Sequence, residues 1–172
     1  RGGYLDIDGN LTSNSGVNLN GGDRYGTLST GNYLDSPDGG STTIQGNLVV
    51  DGDFEINGGE TNTSGFSAHD AGNGGDFDCY GTVTILGDFR SKGGEAYGVG
   101  NAGRGGYCNF DGTTSINGQL NDEGGYSYGG NGGNGGEIYF YSDVTVGDII
   151  KFSGGGVGRP TSNGSEIGRA HV

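Results

Sequence analysis

The sequence predicts an all-β chain wound as a parallel β-helix, a β-solenoid of about 30–35 residues per repeat with glycine-rich loop excursions. Three observations predict it. Gly supplies 44 of 172 residues with no triplet period, glycine pairs recur at near-constant spacing, and the runs between them alternate apolar with polar residues.

Composition narrows the choice first. Glycine at this level without a strict triplet excludes collagen and leaves disorder or a fold with many tight bends. Disordered chains are poor in aromatic and β-branched residues, whereas this one has 10 Tyr and 7 Phe beside recurrent Val, Ile and Thr clusters. An ordered, repetitive chain is expected.

The repeat is framed by Gly58-Gly59, Gly93-Gly94, Gly124-Gly125 and Gly154-Gly155, which follow one another at 35, 31 and 30 residues. Within it, Phe77, Cys79, Gly81, Val83, Ile85, Gly87 and Phe89 occupy alternate places. Cys108, Phe110, Gly112, Thr114, Ile116, Gly118 and Leu120 do the same, as do Ile138, Phe140, Ser142, Val144, Val146, Asp148 and Ile150. An earlier run, Ile44 to Ile56, fits the pattern, and Leu5, Ile7, Gly9 and Leu11 begin another. Period-two alternation marks strands with one buried face. Thirteen residues at about 3.3 Å each would make one strand of over 40 Å, far longer than usual. Each run is therefore expected to break into two or three short strands, bent where a glycine lets the backbone turn.

A single turn cannot bury its own apolar face, so turns must stack. Val83 is expected over Thr114 over Val144, and Ile85 over Ile116 over Val146. Two alternatives share the alternation: an intertwined trimeric β-fibre and a β-sandwich. Loops of 13 to 18 residues argue against the hairpins of a sandwich, which usually have 2–5. The turns are expected at roughly residues 1–22, 40–59, 76–94, 107–125 and 137–155 of one repetitive unit spanning 1–166. Residues 167–172, Ile-Gly-Arg-Ala-His-Val, are what one reading frame of a common sequencing adapter encodes, and are set aside as an artefact. With no Met anywhere and Arg1 first, the natural protein is expected to be longer.

The motifs Ile44-Gln45-Gly46-Asn47-Leu48-Val49-Val50-Asp51-Gly52-Asp53-Phe54 and Gly129-Gly130-Asn131-Gly132-Gly133-Asn134-Gly135-Gly136 resemble repeat regions of bacterial surface adhesins and tail-fibre proteins of tailed phages. That resemblance implies a cell-surface glycan or protein receptor, recognised at exposed loops. Low Lys with many Asp, Asn and Gly residues suits an extracellular, cell-surface or virion location, and the fibre alternative would make a homotrimer, or the rest of a longer chain, the structural partner.

A formal charge of −13 and a pI near 4.1 oppose contact with phosphate backbones, so nucleic acid is not an expected partner. No apolar run approaches the roughly 18 residues that cross a bilayer, so membrane insertion is not expected. The residues offer little chemistry: no catalytic set and no cofactor are expected. His69 beside Asp70 reads as loop decoration, and no carboxylate pair carries the signature of a solenoid polysaccharide enzyme.

Gly132 to Phe140 resembles the calcium-binding nonapeptide with Glu137 in place of Asp, but that motif must recur every nine residues. Asp51 and Asp53 are weak candidates for an isolated cation site. Thr82-Val83-Thr84, Thr113-Thr114-Ser115 and Asp143-Val144-Thr145 would stack as the Thr ladder of an ice-binding face. Cys79 and Cys108 fall on neighbouring turns two residues out of register, about 8 Å apart between Cα atoms. That exceeds the disulfide limit of about 7 Å, so both are expected as free, buried thiols.

The binding candidates are Phe66, Tyr97, Tyr126 and Tyr128, aromatics set among glycines, together with Arg104. The expected function is a non-enzymatic structural or adhesive module acting through its glycine-framed loops. Behind it stand an ice- or calcium-dependent surface binder and a carbohydrate-active enzyme.

Overall fold

Each run of alternating residues is interrupted at short corners, which contain glycine except at 141–143, and the pieces between corners become strands of two to four residues. The computed structural model describes residues 2–25, 35–62, 69–157 and, for the backbone alone, 169–171. The first repeat contributes β1 (Tyr4–Ile7), β2 (Leu11–Ser13), β3 (Val17–Asn18) and β4 (Arg24–Tyr25). The second contributes β5 (Ser41–Ile44), β6 (Leu48–Val50), β7 (Phe54–Glu55) and β8 (Thr61–Asn62). The third contributes β9 (Asp76–Cys79), β10 (Val83–Ile85) and β11 (Phe89–Arg90), and the fourth β12 (Tyr107–Phe110), β13 (Thr114–Ile116) and β14 (Leu120–Asn121). The fifth contributes β15 (Glu137–Phe140), β16 (Val144–Val146) and β17 (Ile150–Lys151), and β18 (Arg169–His171) follows.

Equivalent strands of successive repeats pair with one another, so the described chain is all-β with parallel strands in stacked sheets. The first sheet runs β1-β5-β9-β12-β15-β18, the second β2-β6-β10-β13-β16 and the third β3-β7-β11-β14-β17. A short fourth sheet pairs β4 with β8, and single bridges extend its line from Thr61 to Ala96, Ser127 and Val157. Every pairing among the described strands is parallel, which the hairpins of a sandwich could not produce. The register follows the expected stacking: Val83 pairs with Thr114 and Thr114 with Val144, Ile85 with Ile116 and Ile116 with Val146. The backbone of residues 169–171 pairs with β15.

The three long sheets share one apolar core. Phe54 and Phe89 from the third sheet and Phe77 and Phe110 from the first are fully buried, with ring centroids 4.9–5.7 Å apart. Ile44, Leu48, Val50, Ile85, Ile116, Leu120 and Ile138 belong to the same cluster, each at 0% exposure. Each such side chain contributes roughly 1.5–3 kcal/mol on burial. The polar Thr114, out of character in that column, turns its hydroxyl to donate to the Gly112 carbonyl at 3.2 Å. Cys79 and Cys108 are free and buried, opposite Phe110 and Phe77 in the ladder as expected, and burial raises both thiol pKa values. At the outermost layer the core thins: Val144 and Val146 are half-buried and Ile150 is 47% exposed.

Between strands, where ladder pairing lapses, Asn and Asp side chains take over. Asn10 Oδ1 accepts the N–H of Asn47, and Asn47 Oδ1 that of Thr82. Asp53 Oδ1 accepts from Asp88 N–H, and Asp88 Oδ1 from Gln119 N–H, each at 2.8 Å. Further columns run Asn20-Asn57-Lys92 and Asp38-Asn73-Arg104. A corner amide with no strand partner would otherwise lose its hydrogen bond on burial. The Asx-rich composition thus follows from the corners.

The glycine-framed segments are not simple excursions, and here the sequence expectation needs correcting. Their framing glycines belong to the hydrogen-bonded stack. The Gly59 N–H donates to the Pro37 carbonyl, Gly72 to Gly59, Gly94 to Gly72, Gly103 to Gly94, Gly125 to Gly103, Gly133 to Gly125 and Gly155 to Gly133, at 2.7–3.1 Å. Outgoing and returning halves of each segment therefore alternate along one backbone seam. A Cβ on Gly103 or Gly133 would overlap the carbonyl oxygen of Gly72 or Gly103 respectively. Only glycine lets two main chains approach this closely. Alternation cannot reveal such a seam, because its residues have no side chains to alternate.

Candidate functional site

Beyond the seam the chain bulges outward at residues 95–101 and 126–131, and these bulges hold three of the five predicted binding residues. Ala96 and Ser127 are buried and form a parallel bridge, which fixes the register of the residues that follow. The Ser127 hydroxyl donates to the Gly100 carbonyl and accepts the Gly130 N–H, both at 2.8 Å, tying the two bulges together. Tyr97 N–H donates to the Thr61 carbonyl and Tyr128 N–H to that of Ala96, so the two tyrosines occupy equivalent places one layer apart. Their rings stack with centroids 5.0 Å apart, and Tyr126 meets Tyr128 edge-on at 4.8 Å. Tyr97 is 39% exposed and Tyr128 48%, with Tyr126 half-buried behind them and Val99 exposed alongside. The result is a contiguous aromatic ridge.

Its electrostatic setting is acidic. The Tyr97 hydroxyl donates to Glu95 at 2.8 Å, and that bond is the chief cause of the raised phenol pKa. Glu60, one layer below, is also raised, first by partial burial and then by Asp23 and Glu95, with Lys92 acting in the opposite direction. The Glu60 N–H is held by Asp23 Oδ1 at 3.0 Å. A ridge flanked by Asp23, Glu60 and Glu95 repels anions and favours neutral or cationic groups.

The other predicted residues fall elsewhere. Arg104 is exposed in a different cleft, of about 310 Å³, which it lines with Tyr4, Asp38, Asn73 and Asp76. Phe66 lies outside the described residues. Asp53 is already engaged: Oδ1 accepts the Asp88 amide, and Oδ2 meets the Arg90 guanidinium at 2.9 Å. Arg90 also pairs with Glu55 and Asp88, so this acidic column is knit by one cation. Asp51 is exposed. Among the described residues no three His, Cys, Asp or Glu side chains converge as metal ligands would. His69, expected as loop decoration, is buried at 2% exposure, its carbonyl 3.4 Å from the donating Thr61 hydroxyl.

Two features escaped the sequence reading. Tyr107, Tyr139 and Tyr141 form a second chain of ring contacts on the outer face of the first sheet, with centroids 5.5 and 6.4 Å apart. They sit at outward places of the alternation, places that polar residues such as Asp76 and Asp78 hold in another repeat. The second is Asp122, which occupies an inward place and is fully buried. Its Oδ1 accepts the Gly106 N–H at 2.6 Å, while burial pushes its pKa up to about 7. Its inward place is the one sequence signal, and it does not suffice, because Asp148 holds such a place and is exposed.

Neither family models, curated proteins nor solved structures match the chain.

Proposed function

We propose that this protein is a parallel β-solenoid module with a structural and adhesive role at a cell or particle surface, and that it catalyses no reaction. The observation that carries the reading is the ridge of Tyr97, Tyr126 and Tyr128, rings in mutual contact and partly open to solvent on adjacent stacked layers. Tyrosine offers a large contact area at little cost in side-chain entropy, with a hydroxyl at its tip. The seam and corner ladders beneath hold the rings in place, so a receptor meets a surface needing little reorganisation. A cell-surface glycan or an exposed protein segment of neutral or positive charge suits the acidic flanks.

The ice-binding alternative is less well supported. The register yields one outward column on the second sheet, Thr12, Val49, Thr84, Ser115 and Thr145, and Val49 and Ser115 interrupt its threonines. A calcium role is weakened because the corner Asx oxygens are already taken by backbone amides.

The test is a screen of the purified protein against immobilised cell-surface glycans and intact cells, alongside Tyr97→Ala/Tyr128→Ala. Retention by at least one surface is expected, with a loss of about ten-fold in the double variant. Retention unchanged by the substitutions, or no retention at all, would overturn the adhesive reading.

A further inference from the structure

The outer face of the first sheet carries a groove that the ridge does not use. Asp78, Tyr80, Asn109, Asp111 and Tyr141 line an open cleft of about 480 Å³. Its geometry follows from register. Asp111 N–H donates to the Cys79 carbonyl and Tyr141 N–H to that of Phe110, so Tyr80, Asp111 and Tyr141 form one column on three successive layers. Two layers at about 4.8 Å each place Tyr80 and Tyr141 about 10 Å apart along the stack, with the Asp111 carboxylate between them. Tyr80 is 52% exposed and Tyr141 66%. The floor is fixed, since the Asn109 amide donates to Asp78 at 2.6 Å. Tyr139 packs between Tyr107 and Tyr141 and extends the aromatic wall away from the cleft.

From this arrangement we infer that the groove is a binding site for a linear oligosaccharide bearing free amino groups. Four features of the groove select that ligand. The cleft is open and spans three layers, about 10 Å, which suits sugar units lying along the stack and not an enclosed small molecule. Its exposed tyrosine faces match the flat C–H faces of sugar rings, and their spacing leaves room for a further ring above Asp111. Two carboxylates and no cation line it, on a chain of net charge −13, so a protonated amine is attracted both by Asp111 and by the electron-rich ring faces. Finally, β9, β12 and β15 are paired on both sides, so an extended peptide finds no free strand edge here to join. A lysine-rich peptide could satisfy the charge but would lack main-chain partners.

This inference is independent of the ridge, and calorimetric titration can separate the two. The probes are a glucosamine hexamer, its fully N-acetylated counterpart and an oligolysine of equal charge. The glucosamine hexamer is expected to bind the unaltered protein and to bind about ten-fold more weakly to Tyr80→Ala/Tyr141→Ala and to Asp111→Asn. Leu86→Ala, an exposed position outside both aromatic surfaces, should bind it unchanged. All the substituted side chains are exposed or half-buried, and unchanged thermal unfolding of each variant verifies its fold. Failure of the glucosamine hexamer to bind overturns the inference. So does equal binding of the N-acetylated hexamer, or binding that ignores the groove substitutions. Oligolysine binding with the same tyrosine dependence would overturn the sugar assignment in favour of a general cation-binding face.

Discussion

At Gly103 a single added methyl group would overlap the carbonyl oxygen of Gly72, and at Gly9 the same group would meet nothing within 4 Å. The two positions look alike in the sequence and differ wholly in the fold. Gly103→Ala is expected to cost about 3 kcal/mol or more, since a clash with backbone cannot be relieved by rotating a side chain. Gly9→Ala is expected to change stability by less than about 1 kcal/mol. Urea denaturation of the pair checks both. Asp122 supplies the other residue-scale test. Its pKa of about 7 in the folded chain stands above the ordinary 3.8, because burial disfavours the carboxylate more than the Gly106 amide and Arg104 favour it. Below about pH 4 both folded and unfolded chains carry the proton and the group is neutral to stability. Between about pH 4 and 7 only the unfolded chain releases it, so stability falls as pH rises, by about 4 kcal/mol at most. Above about pH 7 the penalty stays constant. The difference in urea midpoint between the protein and Asp122→Asn should therefore change across pH 4–7. A difference that stays flat there would contradict the assignment.

On the scale of the strand and its corners, stability depends on acceptors placed where the ladder lapses. Asp88 Oδ1 receives the Gln119 amide, and Oδ2 helps hold Arg90. Asp88→Ala leaves that amide without its acceptor and should lose about 1–3 kcal/mol. Asp88→Asn keeps an oxygen for the amide and gives up only a half-exposed ion pair, so a loss below about 1 kcal/mol is expected. If both variants lose equally, the ion pair and not the corner bond is the stabilising element. The strands themselves were legible, because alternation over Phe77–Phe89 and its equivalents is a local property of the chain. Their corners were legible too, since Gly81, Gly87, Gly112 and Gly118 break the runs. What each corner Asx does was not legible: its partner lies a whole repeat away, 31 residues on in the case of Asp88 and Gln119.

Across the whole molecule, protection should follow position in the stack. Val83, Ile85 and Ile116 are fully covered by layers on either side, whereas Val144, Val146 and Ile150 lie at the outermost layer of the second and third sheets. Amide exchange at residues 83–85 and 114–116 is expected to track global unfolding, while residues 144–146 exchange faster through local opening. Uniform protection would argue against layer-by-layer stacking. Ile85→Ala, at the centre of the cluster, should cost about 2–5 kcal/mol by urea denaturation. Of the binding candidates, Tyr97, Tyr126 and Tyr128 converge and Arg104 does not. The sequence could nominate aromatics among glycines, but only the register between repeats decides which rings meet.

The amino-acid order alone determined the period, the inward and outward faces, the vertical pairing of Val83 with Thr114 and Ile85 with Ile116, and the separation of the two thiols. These follow from a two-residue alternation repeated at near-constant spacing, and backbone geometry turns that regularity directly into strands and layers. Tertiary structure decided which glycines form a load-carrying seam, which carboxylate is buried, and which tyrosines share a surface. Each of those depends on segments brought together from different repeats or from opposite halves of one, where closeness in space has no counterpart in local sequence.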